Sequence, residues 1–321
     1  MRYAVFDLGS NSIKFLVAET AGHRIRIICE LSISTRLAEH LIDTCELRPE
    51  AIARTLTALR HLRGEADKLG ATEFRAVATS AVRDSRNRRE FLKAAREVLG
   101  FPVRLLSGNE EAETIFRGVQ ADTHWRDRDL FILDIGGGSA EWVQGHGEKM
   151  ERRISLPFGA VRLRERFLHS YPVAPDTAAL LVETIRAQIA HPLAHYSLNG
   201  RRLVGTGGTI TSLAAIHQGL AHFDPHRIDH TSLTLAEVRA LMHRFTNRTL
   251  EELRAIPGLP AKRIDLIIPG TAVALATMEL LGAKRLGVSV RGLRYGVLSA
   301  AIHEQNASAR AHPRRHAAPK A

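Results

Sequence analysis

Apolar positions fall first into a rhythm of strands and turns. Tyr3–Leu8 is an apolar run ending in the turn-rich cluster Asp7-Leu8-Gly9-Ser10-Asn11-Ser12. Ile13–Glu19 and Arg24–Glu30 follow at strand length, so the chain is expected to open with an antiparallel meander. Pro49 marks a helix start, because its fixed φ suits the first helical position and the N–H it lacks would be unpartnered there. Ile52, Leu56, Leu59 and Leu62 then recur at helical spacing before Gly70. Phe74–Ala78 and Val103–Leu106 read as strands, Asn87–Leu99 and Asn109–Gln120 as helices. Strands alternating with helices after a meander predict a mixed α/β sheet.

Residues 122–129 are polar and mark a boundary, beyond which the opening pattern returns. Leu130–Leu133 runs into Asp134-Ile135-Gly136-Gly137-Gly138-Ser139, with strand-like Ala140–Gln144 and Arg152–Leu156 after it. Helices are expected at Ala160–Leu168 and Pro175–Ala190. A strand at Arg202–Val204 then leads through Gly205-Thr206-Gly207-Gly208-Thr209 into a helix from Ile210. The rest reads as mostly helical, with a last strand at Arg285–Val288 and a closing helix near Gly296–Gln305. The plan is thus one α/β unit used twice. The expected division is an α/β domain over 1–125 joined by helix 294–305, a second over 126–293 with helical insertions, and a disordered basic tail over 306–321.

Composition narrows the partners. Lys and Arg number 45 against 34 Asp and Glu, a formal charge of +11 that attracts polyanions over long range. Part of the excess is Arg310, Arg314, Arg315 and Lys320 in the tail, but the body stays basic without them. No apolar run approaches the ~20 residues of a membrane helix, and no signal-peptide pattern is seen, so no membrane partner is expected. Cys29 and Cys45 are the only cysteines, which fits a reduced, cytoplasmic protein. Without an aromatic-interleaved basic patch, helix-turn-helix or zinc finger, nucleic acid is not the expected partner. A homodimer is compatible with this reading.

Three glycine-rich turns each follow an apolar strand, at Gly9–Ser12, Gly136–Ser139 and Gly205–Thr209. Glycine lets successive N–H groups turn toward an anion, and the third turn also opens a helix whose N-terminus favours negative charge. Ser10, Ser12, Ser139, Thr206 and Thr209 add hydroxyl donors. None of these turns has the Gly-Lys-Ser/Thr ending of a P-loop. Asp7 and Asp134 end buried strands, where they either cap the turns or face each other across a cleft to organise a metal and a water. Glu110 and Glu111 suit a helix start, which is also where a general base for water could sit. Glu141 interrupts an otherwise apolar strand, and Arg83 ends Thr79-Ser80-Ala81-Val82-Arg83 where a guanidinium could fork onto phosphate. The histidines of His222–His230 have metal-like spacing but no partnering motif, and a basic loop near the cleft is the plainer account.

Six segments occur in one order: Asp7–Ser12, Ala78–Arg83, Ser107–Ala112, Asp134–Glu141, Gly159–Leu163 and Gly205–Thr209. On these the chain closely resembles the exopolyphosphatase/guanosine pentaphosphate phosphohydrolase (Ppx/GppA) family, in its short two-domain form. The resemblance implies duplicated α/β domains of the actin, sugar-kinase and chaperone-ATPase type flanking a cleft. It also implies Mg²⁺-dependent hydrolysis of a terminal phosphoanhydride, with inorganic polyphosphate or guanosine pentaphosphate as substrate. Position by position, it makes Glu111 the base that activates water, and Asp134 and Glu141 the acids that hold Mg²⁺ and position that water. It makes Asn11, Ser12, Arg83, Gly136, Gly137, Gly138, Ser139, Gly207, Gly208 and Thr209 phosphate-binding. The chain departs from long members in having no large helical domain after about residue 305, the part that helps those members hold extended polyphosphate. The competing readings are an ATP-using kinase or ATPase of the same superfamily, and a non-catalytic sensor of guanosine tetra- or pentaphosphate.

Overall fold

The computed structural model describes residues 1–21 and 24–311. The chain begins with β1 (Arg2–Leu8), β2 (Ser12–Ala21), β3 (Arg24–Ser34), α1 (Leu41–Thr44) and α2 (Pro49–Lys68). It continues with β4 (Glu73–Ala78), α3 (Ser80–Arg83), α4 (Arg88–Leu99), β5 (Val103–Leu105) and α5 (Gly108–Gln120). A second run follows: β6 (Asp129–Ile135), β7 (Ala140–His146), β8 (Lys149–Leu156), α6 (Ala160–Phe167), α7 (Pro175–Ala190), β9 (Arg202–Thr206) and α8 (Gly207–His217). Then come α9 (Pro225–Ile228), β10 (Ser232–Thr234), α10 (Leu235–Phe245), α11 (Leu250–Arg254), a 3₁₀ turn (Ala261–Arg263), α12 (Ile267–Leu280), β11 (Arg285–Val288) and α13 (Leu293–Ala311).

The five-stranded sheet has the order β3-β2-β1-β4-β5 and the six-stranded sheet β10-β11-β9-β6-β7-β8. In each, a three-stranded antiparallel meander continues through a parallel pairing, β1 with β4 and β6 with β9. This repeated order is the duplicated α/β plan of the actin, sugar-kinase and chaperone-ATPase fold.

The side-chain alternation of β1 shows how the layers form. Ala4, Phe6 and Leu8 face an outer cluster that includes Leu59 and Leu62 of α2 and Phe91 of α4. Tyr3 and Val5 face an inner cluster shared with Leu130 and Ile132 of β6, Ile115 and Phe116 of α5, and Val297 and Leu298 of α13. Helices α5 and α13 therefore lie between the two sheets. The third cluster, beneath the second sheet, is filled by α12, which is buried nearly all round.

Two expectations are corrected. The third glycine turn is already helical, since α8 begins at Gly207 rather than Ile210. The closing helix is longer than its apolar pattern suggested: it starts at Leu293 and runs to Ala311, so residues 306–311, expected in a disordered tail, are helical. Alanine, at 307, 309 and 311, has the highest intrinsic helix propensity. The remainder of that tail, 312–321, lies outside the described residues.

Glycine sets how closely α5 and α13 approach. A Cβ on Gly296 would stand 1.8 Å from the Thr114 carbonyl oxygen, and one on Gly118 would stand 2.1 Å from that of Gly292. Helix propensity alone would make Gly296→Ala stabilising by about 1 kcal/mol. Overpacking against backbone costs about 1–3 kcal/mol, and backbone cannot rotate away as a side chain can. The variant is expected to lose stability in urea unfolding. A gain would show that the helices separate freely.

Candidate active site

The two meander turns face each other and share one geometry. Gly9 N donates to Ser12 O at 3.2 Å, and Gly136 N donates to Ser139 O at 3.0 Å. Behind the second turn, the Gly136 and Gly137 carbonyls accept from the N–H groups of Ala160 (3.0 Å) and Val161 (2.8 Å) in α6. A trans peptide points its N–H opposite its carbonyl, so the N–H groups of Gly137 and Gly138 are turned away from α6. Among the described residues these two N–H groups donate no hydrogen bond. The first turn does the same: the Ser10 and Asn11 carbonyls are taken from behind by Ala38 N and by Thr35 and Arg36 N. Only glycine permits the close approach, because a Cβ on Gly138 would lie 2.5 Å from Ser80 Oγ and 2.7 Å from Ser10 Oγ. Between the turns runs a gully of about 50 Å³, bounded also by Asp7, Glu111 and Asp134.

Strand register places the acids. Asp7 stands opposite Lys14 in the β1–β2 ladder, and Asp134 stands opposite Glu141 at the equivalent place in β6–β7. Lys14 Nζ lies 3.8 Å from Asp7 Oδ2, so the first pair is compensated. The second pairs two carboxylates, an arrangement that is destabilising unless something positive intervenes. Glu111 enters from the first turn of α5, a helix fixed by the Ser107–Glu110 capping box. Arg83 Nη1 donates to Glu111 Oε2 at 3.0 Å and to the Leu106 carbonyl at 3.0 Å.

These groups shift one another's ionisation. Burial pushes the Glu111 carboxyl up to about 7; Arg83 opposes this, and Asp7 and Asp134 add to it. Burial raises Asp134, with Lys14 opposing and Asp7 adding. Glu141 is raised well above the carboxylate range by burial and by its acidic neighbours Glu111 and Asp134, although Ser155 Oγ donates to its Oε1 at 2.7 Å. Asp134 Oδ1 is buried with no hydrogen-bond partner among the described residues. An orphan carboxylate oxygen in an acidic cluster beside amides without an acceptor among the described residues fits Mg²⁺, which uses one or two carboxylates and completes its shell with water and phosphate.

The gully opens into a chamber of about 450 Å³. Its floor is the start of α8, where Gly207 has φ +85° and a Cβ would stand 2.2 Å from Asp134 Oδ1. Lys14, Lys262, Arg263 and Arg294 bring four cations to its walls, with Leu31, Phe223 and Pro225 on an apolar side. Burial draws Lys262 down to about 8, and repulsion from Arg263, Lys14 and Arg294 adds to that.

Of the residues the sequence singles out, Asn11, Ser12, Glu111, Asp134, Gly136, Gly137, Gly138, Ser139 and Gly208 line the gully, and Gly207 lines the chamber. Arg83 does not reach the gully wall; it holds Glu111 from behind. Glu141, 1% exposed, stands behind Asp134. Thr209 is turned away, its hydroxyl packed against Gly270 of α12, and the α8 residues with hydroxyls that line the chamber are Thr211 and Ser212. Sequence reading missed Lys14, Lys262 and Arg263. Lys14 was findable, since it occupies in the first turn the place Glu141 holds in the second. Pro260-Ala261-Lys262-Arg263 carries no signal beyond a basic loop. In the histidine loop, His230 Nε2 lies 2.9 Å from Asp122 Oδ2 and 3.4 Å from Asp229 Oδ2, but Arg291 Nε already stands 3.3 Å from Asp122. Asp122, Asp229, His230 and Arg291 thus form one structural network.

The family model described as the Ppx/GppA phosphatase family matches residues 16–305. The chain belongs to the Ppx/GppA phosphatase family. Its structure is similar to that of the Aquifex aeolicus family member, with TM-score 0.81 and 28% identity over 95% of this chain and 99% of that one. It is also similar to an exopolyphosphatase-like protein, with TM-score 0.87 and 25% identity over 94% and 97% of the two chains. An exopolyphosphatase from Cytophaga hutchinsonii shares the fold, with TM-score 0.86 and 24% identity over 95% and 98%.

Gly207 and Gly219 provide a controlled comparison. Both have positive φ, but a Cβ on Gly219 meets nothing within 4 Å. Gly219→Ala should cost only the left-handed penalty of about 1–2 kcal/mol. Gly207→Ala should lose measurably more in urea unfolding, because its methyl group meets Asp134 Oδ1 at 2.2 Å and the Ile135 carbonyl oxygen at 2.8 Å. Equal losses would show that Asp134 is not held against the start of α8.

Proposed function

We propose that the chain is an exopolyphosphatase that hydrolyses the terminal phosphoanhydride of inorganic polyphosphate, with Mg²⁺ and a water activated by Glu111. The observation that carries this reading is Glu111 facing, across a gully of about 50 Å³, amides that have no other acceptor. The terminal phosphoryl group sits on the Gly137 and Gly138 amides, with Asn11 and Ser12 closing the other side. Glu111, held by Arg83, orients a water and takes its proton. Asp134, with Glu141 behind it, would hold Mg²⁺, which when bound neutralises phosphate oxygens and polarises the phosphorus. The chamber receives the rest of the chain, and the +11 charge draws the polyanion in. Its apolar side, with Phe223 51% exposed, favours a second substrate that carries a nucleoside, guanosine pentaphosphate. We place the protein in the cytoplasm, with two domains, 1–125 plus 294–305 and 126–293, flanking the cleft. Among the described residues no helix is long and apolar enough to cross a membrane.

Phosphate release from long polyphosphate, short polyphosphate, guanosine pentaphosphate and ATP, measured side by side, tests the reading. Release from the first three should depend on Mg²⁺ and stop in EDTA. Preferential ATP turnover would favour a nucleotide-driven kinase or ATPase, and tight guanosine pentaphosphate binding without release would favour a sensor. Glu111→Gln should keep the fold and substrate binding while lowering turnover by about 10²-fold or more, the scale of a lost general base. Turnover near that of the unaltered protein would remove Glu111 from the mechanism.

A further inference from the structure

Resting on the hydrolase reading above, we propose that Arg263 is the residue that neutralises the leaving phosphate as the bridging P–O bond breaks. Three observations meet on this side chain. First, it borders both the gully and the chamber, whereas Glu111 borders the gully alone. If the terminal phosphoryl occupies the gully and the rest of the chain the chamber, the bridging oxygen lies at their junction, beside Arg263.

Second, Arg263 is the chamber cation whose side-chain N–H donors are unclaimed. Lys14 is paired with Asp7, Lys262 donates to Ser32 O at 3.1 Å, and Arg294 is paired with Glu30 at 2.9 Å. The Arg263 side chain has no hydrogen bond and no ion pair within 4 Å among the described residues, and the charge that acts on it is that of Asp134 across the gully. A guanidinium carries five N–H donors in a planar fork suited to phosphate oxygens. Burial draws its ionisation down to about 10, so it remains charged at neutral pH.

Third, the side chain is positioned. The guanidinium packs against Gly208, where a Cβ would stand 1.5 Å from Nη2 and 1.8 Å from Cζ, so it is held at the first turn of α8. Its loop is tied across the cleft: Asn11 Nδ2 donates to Lys262 O at 3.4 Å, and Arg36 Nη2 pairs with Asp265 at 3.1 Å. From its own side, Tyr171 Oη donates to Asp265 O at 2.7 Å.

The step balances without another reactant. The water oxygen forms a bond to the terminal phosphorus while the bond from phosphorus to the bridging oxygen breaks. The water proton passes to the Glu111 carboxylate and then to solvent. The electron pair of the broken bond stays on the bridging oxygen, now a terminal oxygen of the shortened chain, and Arg263 donates hydrogen bonds to it. Phosphoryl transfer requires attack and departure roughly in line, so the proposal places the attacking water on the Glu111 side and the departing oxygen on the Arg263 side. Because charge builds on that oxygen mainly in the transition state, Arg263 should act on kcat more than on KM.

The test uses tripolyphosphate analogues whose leaving pyrophosphate is replaced by methylene-, fluoromethylene- or difluoromethylene-bisphosphonate, a series of increasingly good leaving groups. Arg263→Gln should lower kcat by about 10²-fold on the methylene compound, within the range for a lost oxyanion donor. The loss should shrink along the series, giving a steeper dependence of kcat on leaving-group pKa than in the unaltered protein. Arg263→Lys should fall between the two, and millimolar guanidinium should restore part of the kcat lost in Arg263→Ala. If the unaltered protein turns the series over but the variants match it, or lose the same factor on every member, the leaving-group role is overturned and the hydrolase reading stands. If the unaltered protein releases no phosphate from any phosphoanhydride, the hydrolase reading fails and takes this role with it.

Discussion

Two carboxylates facing each other across a β-ladder are a standing electrostatic debt, and the site is arranged around that one pair. Asp134 and Glu141 meet directly in the β6–β7 register. In the other copy of the same hairpin, Asp7 meets Lys14 and the charge is balanced. Duplication thus supplies two equal hairpins, and one changed residue makes them unequal. The balanced copy contributes a wall. The unbalanced copy contributes negative charge that burial keeps from being screened, with an orphan oxygen on Asp134. A divalent cation, or a proton on Glu141, relieves it.

The rest of the molecule fixes what stands around that pair. Helices α5 and α13 pass between the sheets, and glycine at their crossing lets them close to backbone contact. This sets how far apart the two turns can stand. α5 delivers Glu111 from its capped first turn, and Arg83 keeps that carboxylate from turning away. α6 takes the carbonyls of the second turn from behind, leaving its amides for an anion. The cleft therefore passes from negative at the acids to positive at Arg263 and the lysines of the chamber. A polyanion with a cation at its end matches that sequence of charges.

Much of this was legible before any coordinates. Local pattern gave the meanders, because alternation within a strand and a glycine turn after it are short-range signals. The repetition of Asp-x-Gly gave the duplicated plan. Asp134 and Glu141 could be singled out because each is a carboxylate within an apolar strand, whereas Glu111 suits a helix start and is set apart from Glu110 only by the family resemblance. What could not be read were the facts that depend on three-dimensional proximity. Thr209 sits in the same motif as Gly208, yet the helical turn that carries both points its side chain into α12. Arg83 follows a strand in sequence and ends the short helix α3, where its guanidinium bonds the acid on α5. Arg263 and Lys262 come from a loop with no periodicity, brought to the cleft by ties to Asn11 and Ser32 on the other side. The end of α13 was missed for a different reason: alanine-rich helix without an apolar stripe leaves no pattern to detect.

The central claim is that a water held by Glu111 attacks the terminal phosphorus in the gully while the rest of the chain departs through the chamber. Hydrolysis of polyphosphate in ¹⁸O-labelled water measures this directly. The account predicts one ¹⁸O in each released orthophosphate and none in the shortened chain. Label at the new end of the chain, or phosphate released without label, would contradict it.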